Sequence, residues 1–171
     1  SKVPHKKVNL ELGSNAPLIV NDDGDWETAA DKARIHAFSH AGQSCISIQR
    51  ILLHEDIADR FIERLKTNVE SLKVGDPMDP DTDVGPLIDA EAFEGIRTQV
   101  ERLKREAKLL AEGRFHDPAV PNLLAPVAFE VPSIDSLKTE LFGPVLHIVR
   151  WGGDPEAVVA KINGLGYGLT M

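Results

Sequence analysis

An α/β fold with a largely parallel sheet flanked by helices is predicted by three features of this 171-residue sequence. Short apolar or alternating runs are separated by runs whose apolar residues recur every three or four positions, the two periods of strand and helix. The helical runs reach ten residues or more, long enough to serve as crossovers between parallel strands. No internal repeat or low-complexity linker breaks the alternation, and 42% hydrophobic against 27% charged residues is a globular composition.

The elements follow in order. KKVNLEL (6–12) sets Val8, Leu10 and Leu12 against polar neighbours, a strand pattern, and APLIV (16–20) reads as a buried strand beyond the turn Gly13-Ser14-Asn15. NDDGD (21–25) offers N-cap carboxylates to a helix in which Trp26, Ala29, Ala30, Ala33 and Ala37 share a face, ending near Phe38. HAGQSC (40–45) then carries the only cysteine, Cys45, ahead of a strand over ISIQRILLH (46–54). A second helix places Ile57, Phe61, Leu65, Val69 and Leu72 on one side. Residues 74–87 are turn chemistry. Asp89 caps the most regular helical run, with Ala92, Phe93, Ile96, Val100, Leu103, Ala107 and Leu110 at intervals of three and four. A Pro- and Gly-rich stretch (113–136) holds a strand over 126–131, and a mostly apolar strand spans 142–151. Asp154 and Pro155 open a last helix with Val158, Val159 and Ile162, which Gly164 stops. Both ends look cut, so a larger parent polypeptide is expected.

The formal charge of -8 disfavours nucleic acid as a partner. No run approaches the ~18 apolar residues of a membrane helix. One cysteine forms no internal disulfide, which makes a reducing compartment, the cytoplasm, the expected location. A small-molecule partner is expected.

A free cysteine commonly packs as a small hydrophobe, but Cys45 sits at a loop-to-strand junction beside Gly42, where a nucleophile can be held rigidly. Glu11 and Glu140 read either as solvated carboxylates or as site residues. Glu11 is placed near the C-terminal end of a predicted strand, where ligands gather on parallel sheets. Phe142 beside Glu140 would ordinarily be core. Asp79, Asp81 and Asp83 fall at the first, third and fifth places of a calcium loop, but the twelfth is Ala90, which cannot ligate. His36 and His40 are four apart without a third ligand nearby, so no metal is expected. His40 paired with Cys45 would instead make a thiol hydrolase.

Five motifs stand in order: LELGSNAP at 10, AGQSC at 41, VGDPMDPDTDVGPLI at 74, ELFGPV at 140 and NGLGYGLT at 163. Together they resemble the NAD(P)-dependent aldehyde dehydrogenase superfamily from about Lys7 to Thr170. The resemblance implies Cys45 as nucleophile, Glu11 as general base, Glu140 as contact to the nicotinamide ribose, and Phe142 as a packing neighbour of ribose and nicotinamide. Gly13 falls at the first of the family's paired glycines and is also assigned to the cofactor; Ser14 replaces the second, and His40 stands where asparagine is frequent. It further implies an aldehyde oxidised to an acid with NAD or NADP through a thiohemiacetal and a thioester, in a homo-oligomer. Residues 1–13 are then the end of a cofactor-binding domain, and residues 14–171 a catalytic-domain segment truncated at its C-terminus. With no Gly-rich dinucleotide turn, the 171 residues alone are expected to be inactive. A noncatalytic piece that keeps the fold is the other reading. FGPVLHIVRW and GYGLT resemble members that oxidise glutamate semialdehyde.

Overall fold

APLIV folds into the edge strand β1 (Pro17–Val20) of a sheet in a computed structural model that describes residues 5–117, 119–136 and 139–170. The following turn delivers Asp25, whose carboxylate accepts from Thr28 N at 3.1 Å and starts α1 (Trp26–Phe38). A 3₁₀ turn (Ser39–Gly42) leads past Cys45 to β2 (Arg50–His54), and α2 (Glu55–Glu70) follows directly. Next come β3 (Lys73–Val74), α3 (Ala90–Glu106), β4 (Lys108–Glu112), β5 (Arg114–Phe115), β6 (Val127–Glu130), β7 (Val145–Trp151) and α4 (Pro155–Asn163). Asp89 and Asp154 cap α3 and α4 as the sequence indicates, and Gly164 ends α4.

The main sheet has the order β1-β2-β7-β6-β4. The β1/β2, β2/β7 and β7/β6 pairs are parallel, and β4 alone runs antiparallel, against β6. β3 and β5 form a separate parallel pair. One hydrophobic core joins α1 and α2 to the sheet: Phe38, Phe61, Leu65, Ile51, Leu53, Phe129, Leu146 and Ile148 are essentially inaccessible.

Three expectations are corrected. Residues 6–12 form no strand: Val8, Leu10 and Leu12 are 59%, 72% and 68% exposed. Alternation supplies a strand-compatible face, but among the described residues no neighbour supplies the ladder of hydrogen bonds that would fix it. The strand expected over 46–54 begins only at Arg50, because Ser47 N donates to Ser44 O (3.0 Å) and closes a turn first. The third helix ends at Glu106, not Leu110. Ala107 is extended, and the chain continues into β4, whose pairing with β6 includes a bulge between Leu109 and Ala111. Ala107 and Leu110 fit a helical period equally well, so tertiary pairing decides between the two readings.

Candidate active site

The five motifs converge in space, at the end of the sheet opposite to the one anticipated. Residues 13–16, 45–49 and 140–144 lead into the N-terminal ends of β1, β2 and β7: Pro17 and Arg50, the first residues of β1 and β2, are in register, and Arg50 pairs with His147, the third residue of β7. The expected position of Glu11 at a strand's C-terminal end is therefore wrong, since no strand precedes Gly13 in the described chain.

Cys45 lies half-buried in the turn closed by Ser44 and Ser47. Its loop is built from three consecutive residues at positive φ: His40 (54°), Ala41 (55°) and Gly42 (70°). Asparagine and histidine are among the side chains that tolerate this left-handed region, which gives a backbone reason for His40 where asparagine is frequent. Gly42 has a second reason to lack a side chain, because a Cβ there would run into the Gly143 carbonyl. The cysteine loop is thus seated directly on the ELFGPV loop. The His40 carbonyl accepts from Gln43 N (3.1 Å) and Gln43 Nε2 (3.0 Å), while the exposed imidazole makes no hydrogen bond to Cys45.

Glu140 joins ELFGPV to LELGS. Its half-buried carboxylate accepts from Ser14 N at 3.1 Å and lies against Gly13, where a Cβ would collide with it. Ser14 itself is buried, its Oγ unpartnered among the described residues. Glu11 is exposed and forms no hydrogen bond or ion pair among them. Phe142 is 44% exposed, so it is not the core residue its composition suggests. It lines an open cleft of about 420 Å³ with Gln43, Ile88, Asp89, Ala92 and Ile96.

Two glutamines that the motifs did not single out as site residues join the loops. Gln43 Nε2 also donates to Pro86 O (3.3 Å), and its Oε1 accepts from Ile88 N (2.9 Å), tying AGQSC to VGPLI. Gln49, 3% exposed, bonds both backbone polar groups of Leu141. The signal available for Gln49 was a long polar side chain inside an otherwise apolar strand run, which must find partners if buried. The fifth motif arrives through Arg50, whose Nε donates to Asn15 Oδ1 at 2.9 Å. Burial pulls this guanidinium down to about 10, opposed by nearby Tyr167. Asn15, Pro17, Asn163, Leu165, Tyr167 and Thr170 line one cavity of about 230 Å³.

The carboxylates of the acidic loop are turn partners. Asp76, Asp79 and Asp83 accept from the backbone N–H groups of Met78, Asp81 and Lys73, and Asp81 pairs with Lys73 Nζ at 3.1 Å. Asp22, His54 and Asp56 bring one possible ligand atom each within 4.8 Å of one another, a grouping invisible in the spacing. There His54 Nδ1 faces Asp56 N at 3.4 Å as the cap of α2. No helix among the described residues is long and apolar enough to cross a membrane.

Comparison with known proteins bears on the family and the fold. Benzaldehyde dehydrogenase YfmT of Bacillus subtilis is 43% identical over 155 residues, 90% of this chain and 31% of that protein. Hydroxyisobutyraldehyde dehydrogenase of Mycolicibacterium austroafricanum is 40% identical over 95% of this chain and 33% of its own length. The chain spans about a third of the length of these curated relatives. Among solved structures, a variant of proline utilization A (PutA) from Bradyrhizobium japonicum superposes with a TM-score of 0.88 at 38% identity, covering 93% of this chain and 16% of that one. HpcC from Thermus thermophilus superposes with a TM-score of 0.81 at 34% identity, covering 90% and 31%. The family model described as "Aldehyde dehydrogenase family" matches residues 1–171, and this chain belongs to that family.

Proposed function

We propose that this chain carries the thiol and carboxylates of an NAD(P)-dependent oxidation of an aldehyde to a carboxylic acid, as part of a longer, oligomeric cytoplasmic polypeptide. In it residues 1–13 end the cofactor-binding domain and residues 14–171 form a segment of the catalytic domain. The observation that carries this reading is the seating of the Cys45 loop, through Gly42, on the loop of Glu140 and Phe142.

The site's residues suit the nicotinamide end of the cofactor. Glu140 is an acceptor-only carboxylate able to take hydrogen bonds from ribose hydroxyls. Phe142 offers an apolar ring to the open cleft, and Gly13, by lacking a Cβ, leaves the space in which the Glu140 carboxylate sits. When bound, NAD or NADP supplies a hydride acceptor.

Cys45, as thiolate, adds through Sγ to the aldehyde carbon, and the carbonyl electron pair moves to oxygen, giving a thiohemiacetal. Backbone N–H groups of the Cys45 turn are the donors this chain can offer that oxyanion. Departure of hydride re-forms the C=O bond and leaves a Cys45 thioester. Glu11 then takes a proton from water, the hydroxide adds to the thioester, and collapse releases the acid and the Cys45 thiolate. The exposure of Glu11 suits a base that draws its water from solvent.

The test uses the complete polypeptide. Glu11→Gln is expected to retain the initial burst of reduced cofactor and to slow steady turnover by about a hundredfold or more. Equal loss of burst and steady rate removes Glu11 from thioester hydrolysis, and an undiminished burst in Cys45→Ser overturns the reading as a whole. Glutamate semialdehyde is the first substrate to try, because of FGPVLHIVRW and GYGLT. Benzaldehyde and hydroxyisobutyraldehyde, named for the two relatives, are the comparators.

A further inference from the structure

Gln49 lies four residues beyond Cys45, in the short segment that connects the cysteine turn to β2, and it is 3% exposed. Its side chain spends both polar ends on one residue: Nε2 donates to Leu141 O at 3.1 Å, and Oε1 accepts from Leu141 N at 3.0 Å. Leu141 stands between Glu140 and Phe142 in a stretch outside any strand, so this pair of bonds satisfies a backbone that lacks a sheet partner there. The backbone of Gln49 is itself held on two sides. Its N donates to Ala16 O (3.0 Å), while its O accepts from His147 N (3.1 Å) and lies 3.1 Å from His147 Nδ1. A buried side chain fixed at both ends has little freedom left to lose, and it ties the nucleophile's segment to a loop it does not adjoin in sequence.

We propose that Gln49 is a positioning residue: its two-point clamp on Leu141 sets the Glu140–Phe142 loop at a fixed distance from the Cys45 turn, so that a cofactor held by that loop lies in register with the thiol. The proposal rests on the function proposed above. Hydride transfer tolerates little misplacement of donor and acceptor, and the clamp joins the two loops that would hold them. Its effect on cofactor affinity is separate from any effect on the thiol.

The experiment compares the complete wild-type polypeptide with Gln49→Met and Gln49→Glu, by calorimetric titration with NAD and NADP and by the pre-steady-state burst. Gln49→Met keeps the volume and loses both bonds. It is expected to weaken cofactor binding about tenfold and to slow the burst by a similar factor, with the labelling rate of Cys45 by a thiol reagent unchanged. Unchanged cofactor affinity and burst, alongside a lowered melting temperature, mean a merely structural glutamine and overturn the proposal.

If Gln49→Met does not fold, Gln49→Glu carries the test. A protonated glutamic acid can make the same two bonds as glutamine, whereas the buried carboxylate faces the Leu141 carbonyl with no proton to give. Its cofactor affinity, relative to wild type at each pH, is expected to recover as pH falls from about 8 to about 6. A flat ratio overturns the proposal. A wild-type polypeptide that reduces no cofactor in the presence of aldehyde overturns the functional reading and this one with it; normal wild-type cofactor reduction with an indifferent Gln49 overturns this one alone.

Discussion

Two stretches of this chain read as strands from their apolar residues and end in opposite states. In β2, Ile51 and Leu53 are wholly inaccessible, between β1 on one side and β7 on the other. Over residues 6–12, Val8, Leu10 and Leu12 face outward with no strand formed. Alternation states which face a strand would bury; a neighbour decides whether there is a strand. The same contrast divides the candidate site. Gly42, Gln49 and Glu140 are held by the ends of the sheet, whereas Glu11 sits on the unpaired stretch.

Substitutions sharpen that contrast, and the largest effect belongs to the paired region. Leu53→Ala empties a packed position and is expected to cost about 2–5 kcal/mol in denaturant unfolding. A smaller loss would show the sheet centre able to collapse around the gap.

His147, the third residue of β7, gives the paired region a pH dependence. Burial pushes its imidazole down to about 4 from the usual 6.5, against the raising effect of its hydrogen bond to Gln49 O. Between those values the unfolded chain binds the proton more readily than the folded one, so stability is full above about pH 6.5 and falls as pH drops towards 4. The loss amounts to about 3 kcal/mol across the window, and His147→Gln is expected to lack that share of the acid slope. Parallel unfolding profiles for the two proteins would clear His147 of the effect.

Two glycines with opposite surroundings test the loop junction. Gly42→Ala meets both a positive φ and the Gly143 carbonyl, and is expected to lose about 2 kcal/mol and to alter the labelling rate of Cys45. Gly95→Ala, within α3 and with open space around its Cβ, is expected to gain about 0.5–1 kcal/mol. A gain from Gly42→Ala would mean that the two loops are not pressed together.

The smallest effect is expected from the unpaired stretch, where Leu10→Ala should change the stability of this 171-residue chain by less than about 0.5 kcal/mol. A loss approaching that of Leu53→Ala would show that residues 6–12 are paired in solution.

By itself the sequence determined the local events. Asp25, Asp89 and Asp154 announce helix starts because a capping carboxylate acts within three residues of its own position, and the apolar faces of α1, α2 and α3 are read from spacing alone. The five motifs were equally legible, and their resemblance is what proposes Cys45, Glu11, Gly13, Glu140 and Phe142 as site residues. Tertiary structure decided the rest. It ended α3 at Glu106, because β6 offered a ladder to residues whose apolar spacing fits helix as well as strand. It left residues 6–12 unpaired, brought the motifs to the N-terminal ends of β1, β2 and β7, and joined Gln49 to Leu141 across 92 positions of chain. Hydrogen bonds between distant segments depend on where the chain returns, and no local period encodes that.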